Sequence, residues 1–126
     1  MMQPLEIVAN KLLPTIRARV AQILLDDYHL KQVEVAKRMG ITQAAVSHYN
    51  TRSRAADDEI LKSFPEIEER AKDLAAKIHK GLSLPEQVAA IEGLCKDITK
   101  TERFCKFHRR YSSIDSECQV CFPPQA

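Results

Sequence analysis

From Gln32 to Arg52 the chain reads QVEVAKRMGITQAAVSHYNTR, a spacing of small, apolar and glycine residues that suits two short helices docked steeply across a tight turn. Counted from Gln32, alanine falls at the fifth place (Ala36), glycine at the ninth (Gly40) and a β-branched apolar residue at the fifteenth (Val46). Each type has a mechanical task. Ala36 lets two helix backbones approach, Gly40 supplies the positive φ that stops the first helix, and Val46 plugs the second helix into the core. Val35, Met39 and Ile41 fill the rest of the apolar side.

The residues left over on the second helix are polar or small, and the pattern predicts a helix-turn-helix that reads double-stranded DNA. Thr42, Gln43, Ser47 and His48 point outward, and the Ala44-Ala45-Val46-Ser47 run is slim enough for its backbone to enter a major groove about 12 Å wide. Gln43 has the amide that pairs with adenine N6 and N7, and Ser47 or His48 suits a base edge or a phosphate. Gln32 sits at the start of the first helix, where its amide and the open N–H groups can meet a phosphate. Arg52 and Arg54, in the polar connector that follows, are placed to grip the backbone. The plainer alternative is an αα-hairpin of a helical bundle, but the number of positions in agreement favours the DNA-reading unit.

A chain of 126 residues holds one small domain and a short appendage. Scarce glycine, few aromatics and abundant Ala, Leu, Ile, Lys and Glu predict an all-α fold. No stretch is long and apolar enough to span a bilayer, and the start lacks a secretory leader, so a cytoplasmic protein is expected. The net charge of +2 is unevenly spread: residues 1–56 carry eight Lys/Arg against four Asp/Glu, residues 57–92 five against nine, and residues 93–126 six against four. Positive charge thus accompanies the proposed reading unit. No paired catalytic carboxylates, nucleophile triad or phosphate-binding glycine loop occurs, which argues against an enzyme and a small-molecule substrate.

Six helical segments are expected. Leu5–Leu13 follows Pro4, and Pro14 interrupts or restarts a helix that runs to about Tyr28, with Ile16, Val20, Ile23 and Leu24 inward. Lys31–Met39 and Thr42–Thr51 form the reading pair. Ser63-Phe-Pro-Glu66 and Ser83-Leu-Pro-Glu86 read as capping boxes that open helices to about Lys80, closed by Gly81, and from about Pro85 to Ile98. The stripe Ile67, Ala71, Leu74, Ala75 and Ile78 must bury against the first part of the chain or a second copy. A lone helix-turn-helix covers one half-site, so a homodimer on a palindromic operator is the economical arrangement. The expected division is a DNA-binding unit over 1–60, a linking and dimerising helical region over 61–99, and a cysteine-rich tail over 95–126.

All four cysteines, Cys95, Cys105, Cys118 and Cys121, fall within 27 residues. The segment around the Cys-x2-Cys is short and polar, so packing alone is a poor explanation for it. A reducing compartment disfavours disulfides, and the absence of a βαβ pattern disfavours a redox dithiol. A metal centre is the stronger reading. Cys105, His108, Cys118 and Cys121 make a Cys3His zinc set, whereas the four thiolates together suit an iron–sulfur cluster with His108, Arg109 and Arg110 as neighbours. Spacing leaves both open.

Glu6-Ile-Val8, Leu13-Pro-Thr-Ile-Arg17, Gly40-Ile-Thr-Gln-Ala-Ala-Val-Ser-His-Tyr49, Leu94-Cys95, Phe104-Cys-Lys-Phe-His108 and Cys118-x2-Cys121 carry a resemblance. Over these pieces the chain resembles a prokaryotic, often archaeal, family of transcriptional regulators that join a Cro/C1-type (XRE) helix-turn-helix to a cysteine-bearing C-terminal region. The resemblance implies a dimeric DNA-binding regulator in which Gln43 and Ser47 contact bases or phosphates. It also implies that the four cysteines hold an iron–sulfur cluster, [4Fe–4S] ahead of [2Fe–2S], that senses redox state, oxygen or iron supply.

Overall fold

The computed structural model describes residues 3–51 and 57–110. Among them every regular element is helical: α1 (Pro4–Ile7), a π-helical turn (Val8–Leu12), α2 (Leu13–Asp26), α3 (Gln32–Met39), α4 (Gln43–Asn50), α5 (Asp58–Ser63), α6 (Glu66–His79), α7 (Leu84–Thr99) and α8 (Glu102–Arg110). The all-α expectation holds at that level. None of these helices is long and apolar enough to cross a membrane.

Pro14 does not break the N-terminal helix. Having no N–H, it cannot take up an ordinary helical bond, and its ring would press on the carbonyl four residues back. The chain widens instead, the Leu13 N–H bonding the Val8 carbonyl five residues before it. The helix resumes at once, and α2 becomes the central strut. Its buried residues, Ile16, Val20, Ala21, Ile23 and Leu24 among them, contribute to two adjoining apolar clusters.

The first cluster joins Ile7, Leu12 and Ile16 to Ile60, Phe64 and Ile67, and to Leu94, Cys95, Ile98, Phe104 and Phe107. The second joins the later half of α2 to Val35, Ala36 and Val46, and to Ala71, Leu74, Ala75 and Ile78. The α6 stripe is therefore spent within the chain, against α2, rather than offered to a second copy. Arg19 of α2 reinforces that contact with Nε and Nη2 hydrogen bonds of 2.6–2.9 Å to the Glu68 carboxylate of α6.

Three sequence expectations are corrected. Ser63-Phe-Pro-Glu66 is not a capping box: Ser63 is the last residue of α5, Phe64 is wholly buried, and α6 begins at Glu66 with no side-chain cap. The Ile67 and Glu68 N–H groups bond the Phe64 and Pro65 carbonyls, while the Glu66 carboxylate takes Arg103 instead of reaching back. Helix α5 was not foreseen, although its cap is local, Asp57 Oδ1 accepting from the N–H groups of Glu59 and Ile60. Nor was α8, whose Phe104 and Phe107 enter the first apolar cluster, 1% and 2% exposed.

Candidate nucleic-acid interface

Helix α3 stops because its end is closed by backbone alone. Gly40 adopts φ 65°, and the Ile41 and Gly40 N–H groups turn back to the Ala36 and Lys37 carbonyls at 3.0 and 3.4 Å. Two residues later Thr42 caps α4, its hydroxyl accepting from the Ala45 N–H at 3.0 Å. The helices are thus separated by a three-residue turn, with Val35, Ala36 and Val46 buried between them and α2.

Burying Val46 fixes which way α4 faces. Gln43, Ala44, Ser47, His48 and Asn50 are all exposed, and Thr42 is exposed at the cap. Gln32 lies half-buried in the first turn of α3, a helix whose N-terminus no side chain caps. The described candidates for base or phosphate contact therefore sit on one short helix and at the ends that flank it. Arg52 and Arg54 lie outside the described residues.

Several ties hold this pair against the rest of the molecule. The Gln22 side-chain amide donates to the Tyr49 carbonyl at 2.9 Å, fastening the end of α4 to α2. Arg38 of α3 donates to the Ile78 and His79 carbonyls at 3.1 and 2.7 Å, meeting the negative end of the α6 dipole. From α7 the buried Gln87 amide bonds the Arg38 and Leu82 carbonyls at 2.8 and 3.0 Å. Helix α4 is therefore presented on a braced mount.

The cysteines sit differently from one another. Cys95 lies in the first apolar cluster, 5% exposed, and burial, with Glu92 adding to it against Arg17, pushes its thiol up to about 11. As packed here, Cys95 is a core side chain between α7 and its neighbours. Cys105 is half-buried on α8, and His108, one helical turn on, is buried. Cys118 and Cys121 lie outside the described residues. Among the described residues no group of three or more His, Cys, Asp or Glu side chains stands close enough to hold a metal ion.

A feature that the sequence reading missed lies beside the turn. A groove of about 400 Å³ opens between the start of α2, the α3–α4 turn and α7, with Leu13, Arg17, Ile41, Tyr49, Val88 and Glu92 in its lining. Only the exposed i, i+4 pair Leu84 and Val88 signals it in the sequence. Comparison with protein-family models, curated proteins and solved structures gave no match to this chain.

Proposed function

We propose that the chain is a sequence-specific DNA-binding regulator, with α3 and α4 as its helix-turn-helix and α4 as the element that enters the major groove. The observation that carries this reading is the division of α4, one side plugged by Val46 and the other exposing Gln43, Ala44, Ser47 and His48 together. Amide and hydroxyl groups of that kind match base edges and phosphates, and a small side chain at Ala44 leaves room for close approach. Lys31 at the open N-terminus of α3 and Arg52 and Arg54 beyond α4 supply charge for backbone contacts.

The C-terminal cysteines are the proposed sensing end. An iron–sulfur cluster held by Cys95, Cys105, Cys118 and Cys121 would supply redox or oxygen sensitivity. A second reading, zinc held by Cys105, His108, Cys118 and Cys121, is favoured by the placing of Cys105 and His108 one turn apart on α8. Either centre would act through α8. Phe104 and Phe107 carry α8 into the cluster that includes Leu12 and Ile16, and α2 continues from there to Val46 and Tyr49 of the reading helix.

Fluorescence anisotropy with labelled duplex DNA tests the reader. Binding should weaken steeply as salt rises, Arg52→Ala should lower affinity alike on all sequences, and Gln43→Ala should relax preference at one base position by about 1–3 kcal/mol. Absence of duplex binding at low ionic strength would remove the proposal. An anaerobic ultraviolet–visible spectrum with metal analysis separates brown cluster protein from colourless zinc protein. If Cys118→Ser leaves DNA affinity unchanged, the sensing role is lost.

A further inference from the structure

The groove of about 400 Å³ between α2, the α3–α4 turn and α7 combines an apolar wall with two charges of opposite sign. Leu84 and Val88, a turn apart on α7, are 46% and 61% exposed, and Leu84 lies over Gly40 of its own chain, where a Cβ would stand 3.0 Å from its terminal methyls. Leu13 and Ile41 continue the apolar wall. Each charge stands one helical turn beyond an apolar lining residue, Arg17 after Leu13 on α2 and Glu92 after Val88 on α7. Neither Arg17 nor Glu92 has a hydrogen bond or ion pair among the described residues.

The charges restrict what can fill such a groove. A wholly apolar occupant would cover a cation and an anion without pairing either, and an occupant with one charge would leave the other unmet. The complement is a small molecule that carries both charges at one end and an apolar body at the other. Along α7, Val88 lies about 6 Å and Leu84 about 12 Å from the level of Glu92, which is the reach of a large side chain. We propose that the groove binds a free α-amino acid with a large apolar side chain, its carboxylate on Arg17, its ammonium on Glu92 and its side chain against Val88, Leu84 and Ile41. A partly enclosed, mainly apolar hollow of this volume with a few polar groups is of the kind that takes small ligands.

The inference deepens the DNA-binding reading by naming what regulates it, and rests on that reading for its use. Gly40 and Ile41 of the turn and Tyr49 of α4 belong to the groove, and none of Gln43, Ala44, Ser47 and His48 does. The occupant touches the mount of the reading helix and leaves the polar side of that helix uncovered.

Calorimetric titration of the full chain without DNA, with L-phenylalanine as the probe, tests the site. Phenylalanine should bind saturably, and hydrocinnamate, phenethylamine and glycine, which lack the ammonium, the carboxylate and the side chain in turn, should each bind at least about tenfold more weakly. Arg17→Gln should bring phenylalanine down to the level of phenethylamine, and Glu92→Gln should bring it down to the level of hydrocinnamate; both side chains are exposed, so neither change threatens folding. Val88→Asp should abolish binding. The proposal is overturned if phenylalanine does not bind, if the analogues bind as well as it does, or if the charge variants leave its affinity unchanged. It is overturned equally if Val88→Asp alters the oligomeric state and not the affinity for phenylalanine, which would put a second copy in the groove. Phenylalanine binding with these responses by a chain that binds no duplex keeps the site and removes the reader; duplex binding without phenylalanine binding does the reverse. With both present, saturating phenylalanine should shift duplex affinity by at least about threefold, and an unchanged affinity removes the regulatory use.

Discussion

Gly40 answers to two constraints at once. Its φ of 65° is a conformation that costs an L-residue about 1–2 kcal/mol, and a Cβ there would stand 3.0 Å from both terminal methyls of Leu84. Gly40→Ala should therefore destabilise the fold by about 1–2 kcal/mol in urea unfolding. Adding Leu84→Ala should not restore the loss, because Leu84 is a flexible neighbour and the backbone strain remains; full recovery would show that the contact, not the dihedral, is what matters. Residues of this kind were legible in the sequence because their reasons are local. Gly40 and Thr42 set a stop and a start within three positions, and both helix limits fall within a residue of expectation. Cys95 reads from the sequence as a ligand, and the fold places it in the first apolar cluster with Leu94 and Ile98, a setting that depends on partners from α1, α2, α5 and α8.

Among the elements, α6 and α7 begin with the same Ser-x-Pro-Glu tetrapeptide and use it differently. At α7 the Ser83 hydroxyl accepts from the Glu86 N–H at 3.4 Å, and that hydroxyl also bonds the Glu86 carboxylate at 2.8 Å. At α6 the wholly buried Phe64 draws its segment into the core, and Ser63 ends the preceding helix. Ser83→Ala should thus cost about 1 kcal/mol of stability, and Ser63→Ala less than about 0.5 kcal/mol. Equal losses in thermal unfolding would reinstate two caps. A tetrapeptide reports the helix it could start, whereas the neighbours that decide the outcome, here Arg103 and the Phe64–Phe104–Phe107 ring cluster, come from elsewhere in the chain. The groove beside Arg17 and Glu92 escaped the sequence for the same reason, because α2, α3, α4 and α7 meet only in the folded chain.

At the scale of the whole molecule, the Arg19–Glu68 pair pins the central strut to the longest buried stripe, and it makes stability depend on pH. Its hydrogen bond from Arg19 holds the Glu68 carboxyl below its ordinary value of 4.5, with burial opposing. A depressed carboxylate stabilises fully above that value, and its contribution disappears as pH falls through the lower folded value. With the side chains 25% and 37% exposed, the pair is worth at most about 1 kcal/mol. Glu68→Gln should therefore weaken the protein near neutrality and flatten its loss of stability below the carboxylate range, as followed by urea titrations at several pH values. Parallel curves for the two proteins would remove the pair from the acid response.

The widened turn before Pro14 lets Ile7 and Leu12, five positions apart and both wholly buried, share one apolar cluster. On a regular helix, at about 100° per residue, that separation would put them well round the cylinder from each other. The turn works as a phase corrector, taking up one surplus residue so that the two ends of a single rod stay in step. Deleting one residue between those positions together with Pro14→Ala should therefore keep Ile7 and Leu12 on the same inward side of an uninterrupted helix, a change of length that a packed rod would ordinarily forbid.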